Sequence, residues 1–127
     1  MNQPRYIPGV CNIGPAEIAV RNRTGWIGIA LTALLWVLGA YSHVGRSWFL
    51  LLFFPSALSA VGFIQGAMHF CAAYGLRSVF NVASDVGKTD TVLQEEFRAQ
   101  DKKKARQILG YSILAGLFVS LVAYLST

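Results

Sequence analysis

The sequence is poor in charge. Asp, Glu, Lys and Arg make up 13% of its 127 residues, where a soluble domain carries about 25%. That shortage argues against an ordinary water-soluble domain. Acids are the scarcer sign, six against eleven basic residues. None lies inside an apolar run, which leaves no carboxylate relay for moving protons through a membrane. Only two cysteines occur, Cys11 and Cys71, without paired spacing, so this is no disulfide scaffold. No serine, cysteine or aspartate has a base and an orienting partner placed by spacing, so no nucleophilic triad is legible. Internal repeats are also missing, which argues against a solenoid.

What is present is apolar sequence, 54% of the chain. No charged residue occurs from Trp26 to Val44, from Ser47 to Leu76, or from Gln107 onward. Crossing a bilayer core takes about 20 apolar residues; all three stretches can meet that need, the first by borrowing a residue or two at its ends. The first is too long for the apolar part of a signal peptide, about 7–15 residues. The length suits one domain. The predicted fold is all-α: an integral membrane three-helix bundle.

Residues 1–24 are expected to form a tail and an interfacial helix. Pro4, Pro8, Gly9 and Gly14 make the tail irregular. Pro15 then suits a first helical turn, and Glu17 favours the positive end of the helix dipole. Residues 25–127 form the three-span domain. The first span runs from about Gly25 to Ser42, with Trp26 and Tyr41 at its ends as interfacial aromatics. The short link "SHVGRS" makes the next helix an antiparallel neighbour. The second apolar run, Trp48 to Leu76, would be about 43 Å long as one helix, more than a core of about 30 Å. Pro55 is expected to kink it or to begin it afresh. Residues 77–106 are expected to be a loop on the tail's side. There "SDVGKTD" marks a turn, and Thr91 with Gln94 resembles a capping box. The helix that follows is expected to run unbroken into the third span.

Ten of the eleven basic residues lie in the tail and in the segment 77–106, and one, Arg46, lies in the link. The positive-inside rule places the tail and that segment in the cytoplasm of a bacterial inner membrane and the C-terminus outside. Arg21, Arg23, Lys102, Lys103, Lys104 and Arg106 are expected at the lipid-headgroup level. They flank apolar runs and form no soluble basic face, so lipid rather than nucleic acid is the expected partner.

Small residues recur at helical spacing. Ser59, Gly62 and Gly66 line one face of the second span, and Ser112, Gly116 and Ser120 line one face of the third. Such seams let helices approach closely. Gln65 and His69, in the same stripe region, are expected to make interhelical hydrogen bonds. A metal site would have to gather Cys11, His69 and Cys71, but His69 and Cys71 stand two apart, about 200° round a helix. A haem would need a second imidazole at the depth of His69, and His43 lies at the other end of the span. No metal and no cofactor are expected.

The segments "CNIGPAEI", "LLFFPSALSAVGFIQ" and "CAAYGLRSVFN" resemble small bacterial multi-spanning membrane proteins of unknown function that carry a CNIGP motif. The matching positions are Cys11, Asn12, Ile13, Gly14, Pro15, Gln65, Cys71, Gly75, Arg77 and Asn81. The resemblance implies that the tail and the end of the second span form one unit. It implies no activity. The expected function is non-enzymatic: a small accessory or structural subunit of a larger or self-assembled membrane complex, its partners being lipid and other subunits or copies. The alternatives are a homo-oligomeric channel or small transporter, and a metal- or haem-binding membrane protein.

Overall fold

A computed structural model describes residues 5–83 and 86–126. The first four residues of the expected tail, part of the expected turn at 84–85, and residue 127 lie outside the described residues. The structure is 72% helical, and three of its helices are long and apolar enough to cross a membrane.

Helix α1, Pro15–Tyr41, begins where Pro15 follows an extended Gly14. Proline costs nothing there, because a first-turn N–H has no helical partner. The expected interfacial helix and first span are therefore one uninterrupted helix. A 3-10 segment, Arg46–Leu52, leads into α2, Phe53–Met68. Pro55 is the third residue of α2 and needs no intrahelical donor.

The second apolar run is not one long helix. Met68 ends α2, and His69 takes the left-handed conformation (φ 54°, ψ 39°) with its N–H bonded to the Gln65 carbonyl. Cys71 is extended and starts a short α3, Ala72–Arg77. Ser78, also left-handed, ends it. Two short strands follow, β1 (Val79–Phe80) and β2 (Asp90–Thr91), antiparallel with Val79 opposite Thr91. This small sheet adds to a fold that is otherwise mostly helical. Thr91 lies in β2, and Gln94 caps the next helix by backbone alone, so the expected capping box is not formed. Helix α4, Glu95–Leu125, is unbroken. At about 46 Å it is longer than a bilayer core of about 30 Å, and its charged residues lie in its first turns.

Helix α2 packs against both α1 and α4, and glycine decides how closely. A Cβ on Gly62 would stand 2.6 Å from the Arg21 carbonyl oxygen and from the Gly25 nitrogen. A Cβ on Gly28 would stand 2.6 Å from Ser59 Cα. The Ser59 hydroxyl donates to the Gly25 carbonyl at 2.7 Å, a bond from α2 to α1. On the other side, Gly116 of α4 faces Phe53 and Ala57. The buried face of α4 runs Asp101, Ala105, Ile108, Ser112, Gly116, Ser120 and Ala123. These spacings of three and four keep one stripe inward.

Two apolar clusters close the ends. Phe70, Ala72, Ala105 and Ile108 pack together at the end bearing the tail. Phe49, Leu52 and Ala123 pack at the other, where the Trp48 indole donates to the Leu35 carbonyl at 3.0 Å. Large apolar side chains such as Leu34, Leu114, Phe118 and Leu121 face outward along the helices. A contiguous apolar surface of that kind suits lipid as solvent.

Candidate functional site

The polar side chains buried deepest gather at one end, where the tail, the α2–α3 break, the strands and α4 meet. Asn12 is fully buried. Its Nδ2 donates to the Cys71 carbonyl at 3.1 Å, and its Oδ1 accepts from the Cys71 N–H at 2.6 Å. Its backbone N–H donates to the His69 carbonyl at 3.0 Å, and its carbonyl accepts from the Asn81 N–H at 2.9 Å. One asparagine thus bonds both sides of the break and the chain leaving β1. Asn12 thereby supplies partners to the His69 carbonyl and the Cys71 N–H, which lie outside the helical bonding of α2 and α3, and Ile13 beside it forms a parallel bridge with Asn81. Gln65 adds to it: its Oε1 accepts from the Ala72 N–H at 2.7 Å and so caps α3.

Beside this joint stands a charged cluster. Glu17 is fully buried and pairs with Arg21 at 3.0 Å, one helical turn on. Its other oxygen accepts from the Gly87 N–H at 3.3 Å. The Arg21 guanidinium also donates to the Cys71 sulfur at 3.1 Å and lies 5.6 Å from the centre of the Tyr74 ring. Burial raises the Tyr74 pKa; its hydrogen bond to Glu17 adds to that rise, against the pull of Arg21.

A second acid, Asp101 of α4, is also fully buried. It accepts from the Tyr6 hydroxyl at 2.6 Å and from the Gly9 N–H at 2.8 Å. The Tyr6 ring stacks on Phe80 at 4.5 Å and meets Phe97 edge-on at 6.3 Å. The tail is therefore fastened to β1 and α4 together. Burial, then the bond to Asp101 and its charge, push the Tyr6 hydroxyl well above the ordinary tyrosine range. A raised folded-state pKa stabilises below the unfolded value and is lost as pH climbs past it. We expect tail docking to weaken above about pH 10 in the wild type. Tyr6→Phe should lower stability by about 1–2 kcal/mol at neutral pH and flatten that alkaline slope. Unfolding followed across pH checks both; an unchanged slope in the variant contradicts the assignment.

The predicted site residues fall out as follows. Ser59, Gly62, Gly66, Ser112, Gly116 and Ser120 are all buried within one chain. Gly62 and Gly66 face α1, the latter against the Asn22 side-chain oxygen, and Gly116 faces α2. Ser112 and Ser120 donate to carbonyls of their own helix, at 2.8 Å and 3.1 Å. His69 corrects its expectation: its ring is exposed and makes no hydrogen bond among the described residues, because the chain turns left-handed there. Its backbone, not its imidazole, joins the site. Arg21 is also corrected, since its guanidinium turns inward to Glu17 and Cys71 rather than to headgroups. Arg23, Lys103 and Arg106 are exposed, and Lys102 and Lys104 half-buried.

Cys11, His69 and Cys71 are not gathered. The Cys11 thiol, raised in pKa by burial, leans on the Ile13 carbonyl at 3.5 Å, while Cys71 faces a cation. Among the described residues no group of three His, Cys, Asp or Glu could hold a metal.

Site reasoning on the sequence missed Tyr6, Glu17, Tyr74 and Asp101. A signal existed for Asp101: it continues the stripe Ala105, Ile108, Ser112 one turn back. Every buried side-chain nitrogen or oxygen among the described residues has a hydrogen-bond partner. Searches against family models, curated proteins and solved structures find no match for this chain.

Proposed function

We propose that this chain is a non-enzymatic, multi-pass membrane subunit that assembles sideways with other membrane helices. In this reading its three spans form a bundle in a bacterial inner membrane. The tail and the segment 77–106 face the cytoplasm and the C-terminus faces out. The sidedness rests on charge, ten basic residues at one end against Arg46 at the other.

One observation carries the reading. Between α1 and α4, over α2, lies an open trough of ≈ 390 Å³ lined by Thr32, Ala33, Ser56, Ser59, Ala60 and Ala115 among others. Its hydroxyls are already committed: Thr32 to the Gly28 carbonyl at 2.7 Å, Ser56 to Leu52 at 2.6 Å, Ser59 to Gly25 at 2.7 Å. The trough, which Trp36 also lines, offers small side chains for close approach and no unoccupied hydroxyl. That combination suits van der Waals packing of another helix and is poor lining for an ion path. The complete satisfaction of the buried polar joint supports a structural role in the same way. A catalytic group needs an open partner aimed at its substrate.

Filling the trough tests the proposal. Ala60→Leu with Ala115→Leu should leave the chain folded but shift it from a larger assembly to a single copy when native membranes are extracted in mild detergent and sized. A complex of unchanged size rejects the trough as the contact.

A further inference from the structure

The tail turn at residues 8–10 leans on α4 and closes one side of a cleft of ≈ 320 Å³. Gln100, Lys103, Lys104 and Gln107 form the other side. They fall at spacings of three, one and three, so a single helical face carries two ammonium groups and two amides. We infer that this cleft binds the phosphate of an anionic phospholipid headgroup.

Three features converge on that ligand. First, the charge is uncompensated. Neither Lys103 nor Lys104 has an acidic partner among the described residues. Asp101, the acid nearest in sequence, is turned inward, with one oxygen accepting from Tyr6 and the other from the Gly9 N–H. Glu96 lies seven residues before Lys103, about 10 Å toward the start of the helix. Second, the depth is right. Gln107 opens the uncharged stretch of α4, so the cleft sits where hydrocarbon gives way to headgroups. Exposed Ile7 and Val10 flank it, which suits the apolar part of a lipid. Third, the turn is held in place. Gly9 adopts φ 69°, the Val10 N–H donates to the Ile7 carbonyl at 2.9 Å, and Gln100 packs directly against Gly9. A rigid wall facing two lysines makes a pocket rather than a diffuse basic surface. Lysine binds phosphate as a point charge.

This inference rests on the membrane reading above, and the test separates the two. Carbonate washing of native membranes addresses that reading alone: a chain released by the wash is no integral membrane protein. For the cleft, the purified chain is held in mixed micelles of neutral detergent with phosphatidylglycerol and phosphatidylcholine, and retained lipid is counted by native mass spectrometry. Micelles offer no extended anionic surface, so retention reports a site. The wild type should retain phosphatidylglycerol in preference. Lys103→Gln with Lys104→Gln should cut that preference about tenfold or more, as expected for two basic groups near a phosphate. Arg77→Gln with Lys88→Gln removes the same charge elsewhere at that end and should leave the preference nearly intact. Equal losses in both pairs, or no preference in the wild type, overturn the site. Displacement by inorganic phosphate at concentrations comparable to the lipid overturns the lipid assignment in favour of a free-anion site.

Discussion

Gly62→Leu should separate α1 from α2. The first atom added would stand 2.6 Å from two backbone atoms of α1, the Arg21 oxygen and the Gly25 nitrogen. Backbone cannot rotate aside as a side chain does, so the helices must move apart. That movement stretches the Ser59–Gly25 bond, now 2.7 Å, and lifts Gly28 from Ser59. Overpacking usually costs about 1–3 kcal/mol; with a helix backbone as the obstacle, we expect about 3 kcal/mol or more. Gly110 provides the control, since a Cβ there meets nothing within 4 Å. Gly110→Ala should be neutral or stabilising by up to about 1 kcal/mol, because glycine is a poor helix former. Unfolding in mixed micelles by increasing fractions of a denaturing detergent measures both. Equal stability of Gly62→Leu and wild type would contradict the described packing.

Asn12→Ala should release the tail and open the α2–α3 break. The substitution leaves the buried Cys71 N–H without the partner it now holds at 2.6 Å, and takes from the Cys71 carbonyl one of its two donors, the other being the Gly75 N–H at 2.9 Å. An orphaned buried donor costs about 1–3 kcal/mol. The cost falls on local opening, because α1 and α4 keep their contacts with α2. Cys71, 2% exposed, is the reporter. Its alkylation requires the joint to open, and a tenfold rate corresponds to about 1.4 kcal/mol. We expect Cys71 in a Cys11→Ser background to react at least about tenfold faster once Asn12 is alanine. An unaltered rate means the tail does not hold the break closed. Asn12→Asp should also fail, since it sets a carboxylate oxygen against the Cys71 carbonyl where a donor now sits.

These two predictions differ in how far the sequence could lead to them. The glycine seams were legible, because spacings of three and four place residues on one helical face whatever else the chain does. Which helix each seam meets was not, since that depends on crossing angle and on the order of packing. The seams expected to serve either a bundle or an oligomer are occupied inside one chain, and the open contact surface is the trough beside them. The break at His69 was hidden for a different reason. Hydropathy continues unchanged from Trp48 to Leu76, and a left-handed histidine carries no mark in composition. That turn is held by Gln65 and by the side-chain and backbone bonds of Asn12, fifty-nine residues from Cys71. Glu17 and Arg21 illustrate the same gap. Their i, i+4 spacing suggests a pair, but a surface pair and a buried one look identical until Gly87, Tyr74 and Cys71 are brought around them.

Local sums along the chain determined that three helices are apolar and long enough to cross a membrane and that ten of eleven basic residues flank them at one end. Hydropathy and charge add residue by residue, so no contact need be known. The tertiary structure decided which glycines touch backbone, where the second apolar run breaks, and that two acids are buried with partners. Those outcomes turn on hydrogen bonds between residues far apart in sequence, and a buried polar group is tolerated only where its distant partner arrives.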